Sequence, residues 1–157
     1  MQEEKDTACV LEEIKNAALS GGLNVIKANE NNFKDISFSK FFNDYLASHQ
    51  NLKLSSIIND SGITRQHAHA IINGMKNGSR DKIIALCFAA GMTLDETNHA
   101  LIYAKHSALY SKDKRDSYII YAITKKETGS REYVTATDLS ILLDEEGQSP
   151  LDIMIMR

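Results

Sequence analysis

The sequence predicts an all-α fold, because apolar residues recur at helical spacing and residues that begin or end helices flank each stretch. Thr93 and Glu96 have the spacing of a capping box, and Gly91 follows an apolar run at a point where a helix ends. We expect six or seven helices and no strand. The widest apolar stripe, at positions i, i+3, i+4, i+7 and i+8, consists of Phe38, Phe41, Phe42, Tyr45 and Leu46.

The predicted elements follow one another with short connections. An amphipathic helix covers residues 7–19 and stops at Gly21-Gly22, and residues 24–35 form an Asn-rich linker. Ser37 is expected to cap the helix that carries the aromatic stripe. Further helices are predicted over residues 54–61, 64–74, 79–90, 93–104 and 111–126. Towards the end of the chain the pattern weakens, and a leucine-rich stretch predicts one short helix.

Charge is unevenly distributed, and its distribution follows the predicted domain organisation. The formal charge of the whole chain is −3, yet residues 31–126 carry +5 between two acidic arms, of which residues 1–30 carry −3 and residues 127–157 carry −5. A basic body between acidic arms favours contact with nucleic acid. The predicted domains are an N-terminal helix and linker (residues 1–36), a basic helical body (residues 37–126) and an acidic C-terminal extension (residues 127–157).

Composition and motifs argue against a membrane protein and against an enzyme. No apolar stretch is long enough to cross a bilayer and the start of the chain lacks a secretory signal, so we expect a cytoplasmic protein. Cys9 and Cys87 lie far apart in the sequence, which predicts reduced thiols. His67 and His69 point in different directions on a helix and cannot share a metal ion. No phosphate loop or nucleophile elbow is present, so neither enzymatic activity nor a cofactor or metal is expected.

The most informative segment is residues 54–74, LSSIINDSGITRQHAHAIING, which contains a helix, a glycine and a second helix. Gly62 is expected to close the first helix with a positive φ, which is cheap only without a Cβ. The isoleucines of this segment are spaced so that both helices bury one side. Arg65, Gln66, His69 and Asn73 are left on an outer face, as in a helix that enters the major groove of DNA.

These residues resemble the phage-repressor-like (XRE/Cro/CI-type) helix-turn-helix family. The turn DSGIT and the closing IING, at residues 60–64 and 71–74, match the two signatures of that family, and residues 79–91 are similar to its next helix. Two positions depart from the family pattern, because Ile58 is bulky where the family has a small residue and Ala68 is small where it has a larger one. An exchange of this kind conserves core volume if the two side chains pack together.

The resemblance implies that residues 64–73 form a recognition helix for double-stranded DNA. Arg65 suits guanine and Gln66 suits adenine in the major groove, whereas His69 suits either a base or a phosphate. Thr64 is expected to cap the helix and Asn73 to close it, and both are also candidates for DNA contact. The complete set of predicted DNA-contacting residues, with two phosphate contacts after the recognition helix, is Thr64, Arg65, Gln66, His69, Asn73, Lys76 and Arg80.

The function as a whole and the acidic extension each have two possible interpretations. The expected protein is a transcriptional regulator that binds DNA as a homodimer, since one helix reads only a few base pairs. The alternative is an adaptor module that keeps the fold without DNA binding and docks a protein partner through its tyrosine- and lysine-rich helix or through its C-terminal extension. The extension itself is interpreted as a flexible tail that competes with DNA phosphates. If Leu139, Leu142 and Leu143 instead fold onto the body, it is structural.

Overall fold

The computed structural model describes residues 7–20 and 37–154, and all the regular elements in these ranges are helices. The chain divides into two compact units, Met1–Asp35 and Ile36–Arg157. In the first unit, helix α1 spans Thr7–Ser20, close to its predicted bounds. The predicted stop at Gly21-Gly22 and the predicted linker lie outside the described residues. The all-α prediction is therefore confirmed for the described part of the chain.

The second unit contains seven described helices joined by short connections. Four predicted N-caps are confirmed, because the side chains of Ser37, Thr64, Ser79 and Thr93 each accept a hydrogen bond from the backbone N–H three residues on. The helix expected from residue 111 begins later, because the Asp113 carboxylate accepts from the N–H of Asp116 and caps the helix there. These helices are α2 (Phe38–Ser48), α3 (Leu54–Ser61), α4 (Arg65–Ile72), α5 (Arg80–Ala90), α6 (Leu94–Tyr103), α7 (Lys114–Glu127) and α8 (Ala136–Glu145).

Helix α5 lies at the centre of this unit, in contact with α3, α6 and α8. Every residue from Ile83 to Phe88 is buried, so this helix lacks a polar face over that stretch. Burial raises the pKa of the Cys87 thiol far above its ordinary value, with a smaller contribution from the charge of Glu96. The aromatic stripe of α2 contributes Phe38 and Phe42 to the same core, as its spacing predicts. No helix of the described residues is long and apolar enough to span a bilayer.

The acidic extension is folded onto the body, so its interpretation as a flexible tail is wrong for the described residues. Leu139 and Leu143 of α8 are fully buried, and α8 packs on α3, α5 and α7. The apolar residues at this spacing outweigh the acidic composition, because their burial stabilises the folded extension. The Glu127 carboxylate accepts from the N–H of Leu94 at the start of α6 at 2.6 Å, and so is engaged within the protein.

After α8 the chain crosses the body as a segment without regular secondary structure, which we call the C-terminal strap (residues 149–154). Leu151 is buried and its N–H donates to the buried hydroxyl of Ser140 at 3.0 Å. Arg115 donates to the carbonyl oxygen of Ser149 and also forms two hydrogen bonds with the carboxylate of Asp81, each 3.0 Å long. The strap is thus held by apolar burial and by an arginine. Residues 155–157 lie outside the described residues.

Candidate nucleic-acid interface

The turn between α3 and α4 has the conformation that its sequence predicts. Gly62 has φ 70° and ψ 10°, so the predicted positive φ is confirmed. The buried hydroxyl of Ser61 donates to the carbonyl oxygen of Ile58 at 2.7 Å and accepts from the N–H of Ile63 at 3.2 Å. The Thr64 hydroxyl oxygen accepts from the N–H of His67 at 3.3 Å, which confirms its predicted cap. The start of α4 is therefore fixed by two side chains and one glycine.

Helix α4 has one buried side and one exposed side. Ala68, Ile71 and Ile72 are buried, and they face the body of the domain. Arg65 and Gln66, in the first turn, are exposed to solvent. Ile58 and Ala68 are both buried, as the volume exchange requires, and their direct packing stays a prediction. Of the other predicted contacts, Thr64, Asn73 and Lys76 are exposed and His69 is half-buried.

Helix α2 holds the far end of α4. The hydroxyl of Ser39 donates to the carbonyl oxygen of Ile72 at 2.7 Å, and the side-chain amide of Asn43 donates to the same oxygen at 3.0 Å. Gly74 follows with φ 77°, and a Cβ there would lie 3.3 Å from the Cβ of Ser39. These contacts satisfy a carbonyl at the helix end and fix α4 against α2. Sequence reasoning missed Ser39 and Asn43, although their i, i+4 spacing beside the aromatic stripe marks one helix side.

Arg80 lies at the start of α5, and its guanidinium is engaged within the protein. It forms two hydrogen bonds of 2.9 and 2.8 Å with the carboxylate of Asp116, and it donates to the carbonyl oxygens of Ser107 and Ala108 at 3.1 Å. The hydrogen bond with Asp116 raises the pKa of Arg80, so the guanidinium stays charged. Its role as a phosphate contact stays a prediction, although these bonds use most of its donors.

The C-terminal strap contacts the turn from outside. The N–H of Met154 donates to the carbonyl oxygen of Gly62 at 2.8 Å. A Cβ on Gly62 would lie 3.0 Å from the Cδ1 of Ile153 and 3.0 Å from the carbonyl oxygen of Met154. A groove of about 340 Å³ runs beside this contact, lined among others by Arg65, Thr137 and Met154. The turn before α4 is therefore packed on both sides.

Six of the seven predicted residues thus lie on α4, at its ends or in the loop that follows, and the seventh is directed into the body. Among the described residues, no group of three or more His, Cys, Asp or Glu side chains is placed to hold a metal ion. Helix α4 presents a hydrogen-bonding and basic side to solvent, with its position fixed by α2 and by the turn. No family model matches this chain, and searches of curated proteins and of solved structures found no match.

Proposed function

We propose that the chain is a sequence-specific regulator of transcription that binds double-stranded DNA with α4 as its recognition helix. The observation that carries this proposal is the division of α4 into two sides, because Ala68 and Ile71 are buried while Arg65 and Gln66 are exposed in its first turn. The major groove is wide enough for an α-helix, and the first turn of a recognition helix is the part that contacts base edges.

The chemistry of the exposed residues supports the same proposal. An arginine donates two hydrogen bonds to the O6 and N7 of guanine, and a glutamine pairs with the N6 and N7 of adenine. Thr64, Asn73 and Lys76 flank these residues at the two ends of α4, where phosphate oxygens border the groove. Residues 31–126, which include α4, carry a charge of +5, and the folded extension offsets it with −5, so attraction of a polyanion depends on local cations such as Arg65 and Lys76. We further propose a homodimer, because two copies of α4 read two half-sites.

The test is selection of bound duplexes from a genomic fragment library, followed by gel-shift titrations with the selected site and with random duplex. Arg65→Ala and Gln66→Ala should each cost roughly 1–3 kcal/mol on the selected site and little on random DNA. Lys76→Ala should weaken binding to both duplexes alike, and Lys112→Ala, an exposed lysine of the loop between α6 and α7, serves as control. A folded protein that binds no duplex at low salt would overturn the proposal.

A protein-interaction role is the second candidate, and one observation favours it. Helices α7 and α8 and their connection expose Tyr121, Val134 and Ile141, whose exposed fractions lie between 43% and 48%. Exposed large apolar residues mark binding surfaces when they are close together, and the ring centroids of Tyr121 and of Tyr133, which precedes Val134, lie 6.3 Å apart. If Ile141→Asp and Tyr121→Asp abolish dimerisation but spare the fold, this surface pairs subunits. If the unaltered protein and both variants are monomeric, the protein-interaction role gains support.

A further inference from the structure

A cavity of about 430 Å³ lies beside the C-terminal end of α4. The loop after α4 forms one wall, and the start of α2 and the loop after α6 form the others. Its cations are Lys76 and Lys105, both exposed, and no carboxylate occurs among its described lining residues. Neither lysine is in an ion pair with another described residue. The cavity is therefore a concentration of uncompensated positive charge.

Lys105 has a backbone conformation that lysine rarely adopts. Its φ is 67°, and among the described residues it is the one non-glycine residue with a positive φ. It stands directly after the C-cap of α6, where its N–H donates to the carbonyl oxygen of Ile102 at 3.0 Å. A lysine occupies this position although a glycine would be less strained. Five other helices of this unit are also followed by a residue with a positive φ. In each of them this residue is a glycine: Gly62, Gly74, Gly91, Gly129 and Gly147.

Hydrogen bonds fix both lysines relative to each other. The ring N–H at Nε2 of His106 donates to the carbonyl oxygen of Gly78 at 2.8 Å, which ties the loop after α6 to the loop after α4. The N–H of Lys76 donates to the carbonyl oxygen of Ala70 at 3.2 Å, in the last turn of α4. These hydrogen bonds thus hold the backbones that carry the two lysines in fixed positions relative to α4.

We propose that this cavity takes a phosphate group of the DNA backbone, with Lys76 and Lys105 as its cations. The inference rests on the proposed function, because DNA held along α4 brings its backbone past Gly74 and Lys76, which directly follow the helix. Phosphate is the chemical class that fits, since a lysine ammonium binds it as a point charge and Asn77 offers an amide donor. Lys105 thus adds a phosphate contact to those that the sequence pattern predicts.

The test is Lys105→Gly, which removes the charge and relieves the backbone strain together. We expect this variant to melt at the same temperature or higher, while it binds selected and random duplex several-fold more weakly. The slope of log Kd against log salt concentration should fall by about 0.9, the value for one phosphate contact. Lys105→Arg should retain the slope of the unaltered protein. Lys112→Gly, in the next part of the same loop, is the matched control and should leave the slope unchanged.

The outcomes separate this inference from the proposed function. If the unaltered protein binds duplex and Lys105→Gly binds with the same slope and affinity, the assignment of this cavity to a DNA phosphate is overturned and the proposed function stands. If the unaltered protein binds no duplex, both are overturned. Titration with inorganic phosphate tests whether the cavity binds a small anion instead of DNA. If phosphate raises the melting temperature of the unaltered protein but not of Lys105→Gly, and DNA binding is equal for both, the site belongs to a small anion and the DNA assignment is wrong.

Discussion

Arg80 and Asp116 are joined by two hydrogen bonds of 2.9 and 2.8 Å, although 36 residues separate them in the sequence. Burial raises the pKa of Asp116, but the hydrogen bonds from Arg80 and from the N–H of Tyr110 outweigh it and hold the pKa below its ordinary value. The carboxylate therefore stabilises the fold above the pKa of the unfolded chain, about 4. This contribution is lost as the pH falls through the lowered pKa of the folded state.

We expect the free energy of unfolding to fall as the pH drops below about 5, and Asp116→Asn to remove the part of that fall that this carboxylate causes. Urea denaturation at a series of pH values measures both. The pH dependence of Asp116→Asn should be shallower than that of the unaltered protein. An identical pH dependence for the two proteins would show that Asp116 titrates alike in the folded and unfolded chains.

Arg80→Ala should destabilise the protein by about 3 kcal/mol at pH 7, because it leaves a carboxylate with a side chain only 7% exposed without its cation. Lys40→Ala is the matched control, since Lys40 and Asp44 form an ion pair whose side chains are 56% and 71% exposed. Its cost should stay under about 0.5 kcal/mol. Equal losses in the two variants would contradict the structural role of Arg80.

Gly62→Ala should destabilise the protein more than Gly91→Ala. Both glycines close a helix with similar φ values, 70° and 75°, so the conformational cost of about 1–2 kcal/mol is common to both. A Cβ on Gly91 meets nothing within 4 Å, whereas a Cβ on Gly62 meets the C-terminal strap at 3.0 Å. The difference between the two unfolding free energies thus measures the contact with the strap. A difference near zero would mean that the strap moves away without cost.

Leu151→Ala should cost about 2–4 kcal/mol of stability, because the leucine is 3% exposed and truncation leaves a cavity. Asp152→Ala serves as the neighbouring control. Its carboxylate is 75% exposed where it pairs with Lys82, so the loss should be below about 1 kcal/mol. Thermal melts of both variants, and of a chain that lacks residues 149–157, provide the measurement. Unchanged melting of the shortened chain would restore the interpretation of this segment as a flexible tail.

Ser39→Ala combined with Asn43→Ala should weaken specific DNA binding without removing a residue proposed to contact bases. The double change leaves the carbonyl oxygen of Ile72 without its two side-chain donors, so the end of α4 is less firmly positioned. We expect roughly fivefold weaker binding to the selected site, equivalent to about 1 kcal/mol. Asp44→Ala, exposed on the same helix, is the control. Full affinity in the double variant would show that α4 is positioned by its buried side alone.

Local signals in the sequence predicted most of the helices, and contacts between distant residues account for what they missed. The caps at Ser37 and Thr64 were predictable because donor and acceptor lie three residues apart. The sequence predicts Arg80 as a phosphate contact, because nothing near it in the sequence indicates Asp116. The positive φ of Lys105 was also beyond prediction, since the hydrogen bond from His106 to Gly78 helps to hold that turn.

The acidic extension shows that net charge does not predict whether a segment is folded. A net charge of −5 over residues 127–157 favoured a solvated tail, yet Glu127 and Asp138 act as hydrogen-bond acceptors at helix starts. Counting charges does not distinguish a carboxylate that caps a helix from one that is free in solvent. The leucine spacing of α8 was the better indicator, because it requires a buried side whatever the charge of the remaining positions.

The contact of Met154 with Gly62 joins residues that are 92 positions apart. During synthesis at about 5–20 residues per second, Met154 is added roughly 5–18 s after Gly62. Helices form within microseconds, so α3 and α4 have time to form and to pack with the earlier helix α2 before the strap is synthesised. The nascent turn therefore passes through a period in which the carbonyl of Gly62 faces water, and its final packing is completed only when the segment from Leu151 to Met154 has emerged.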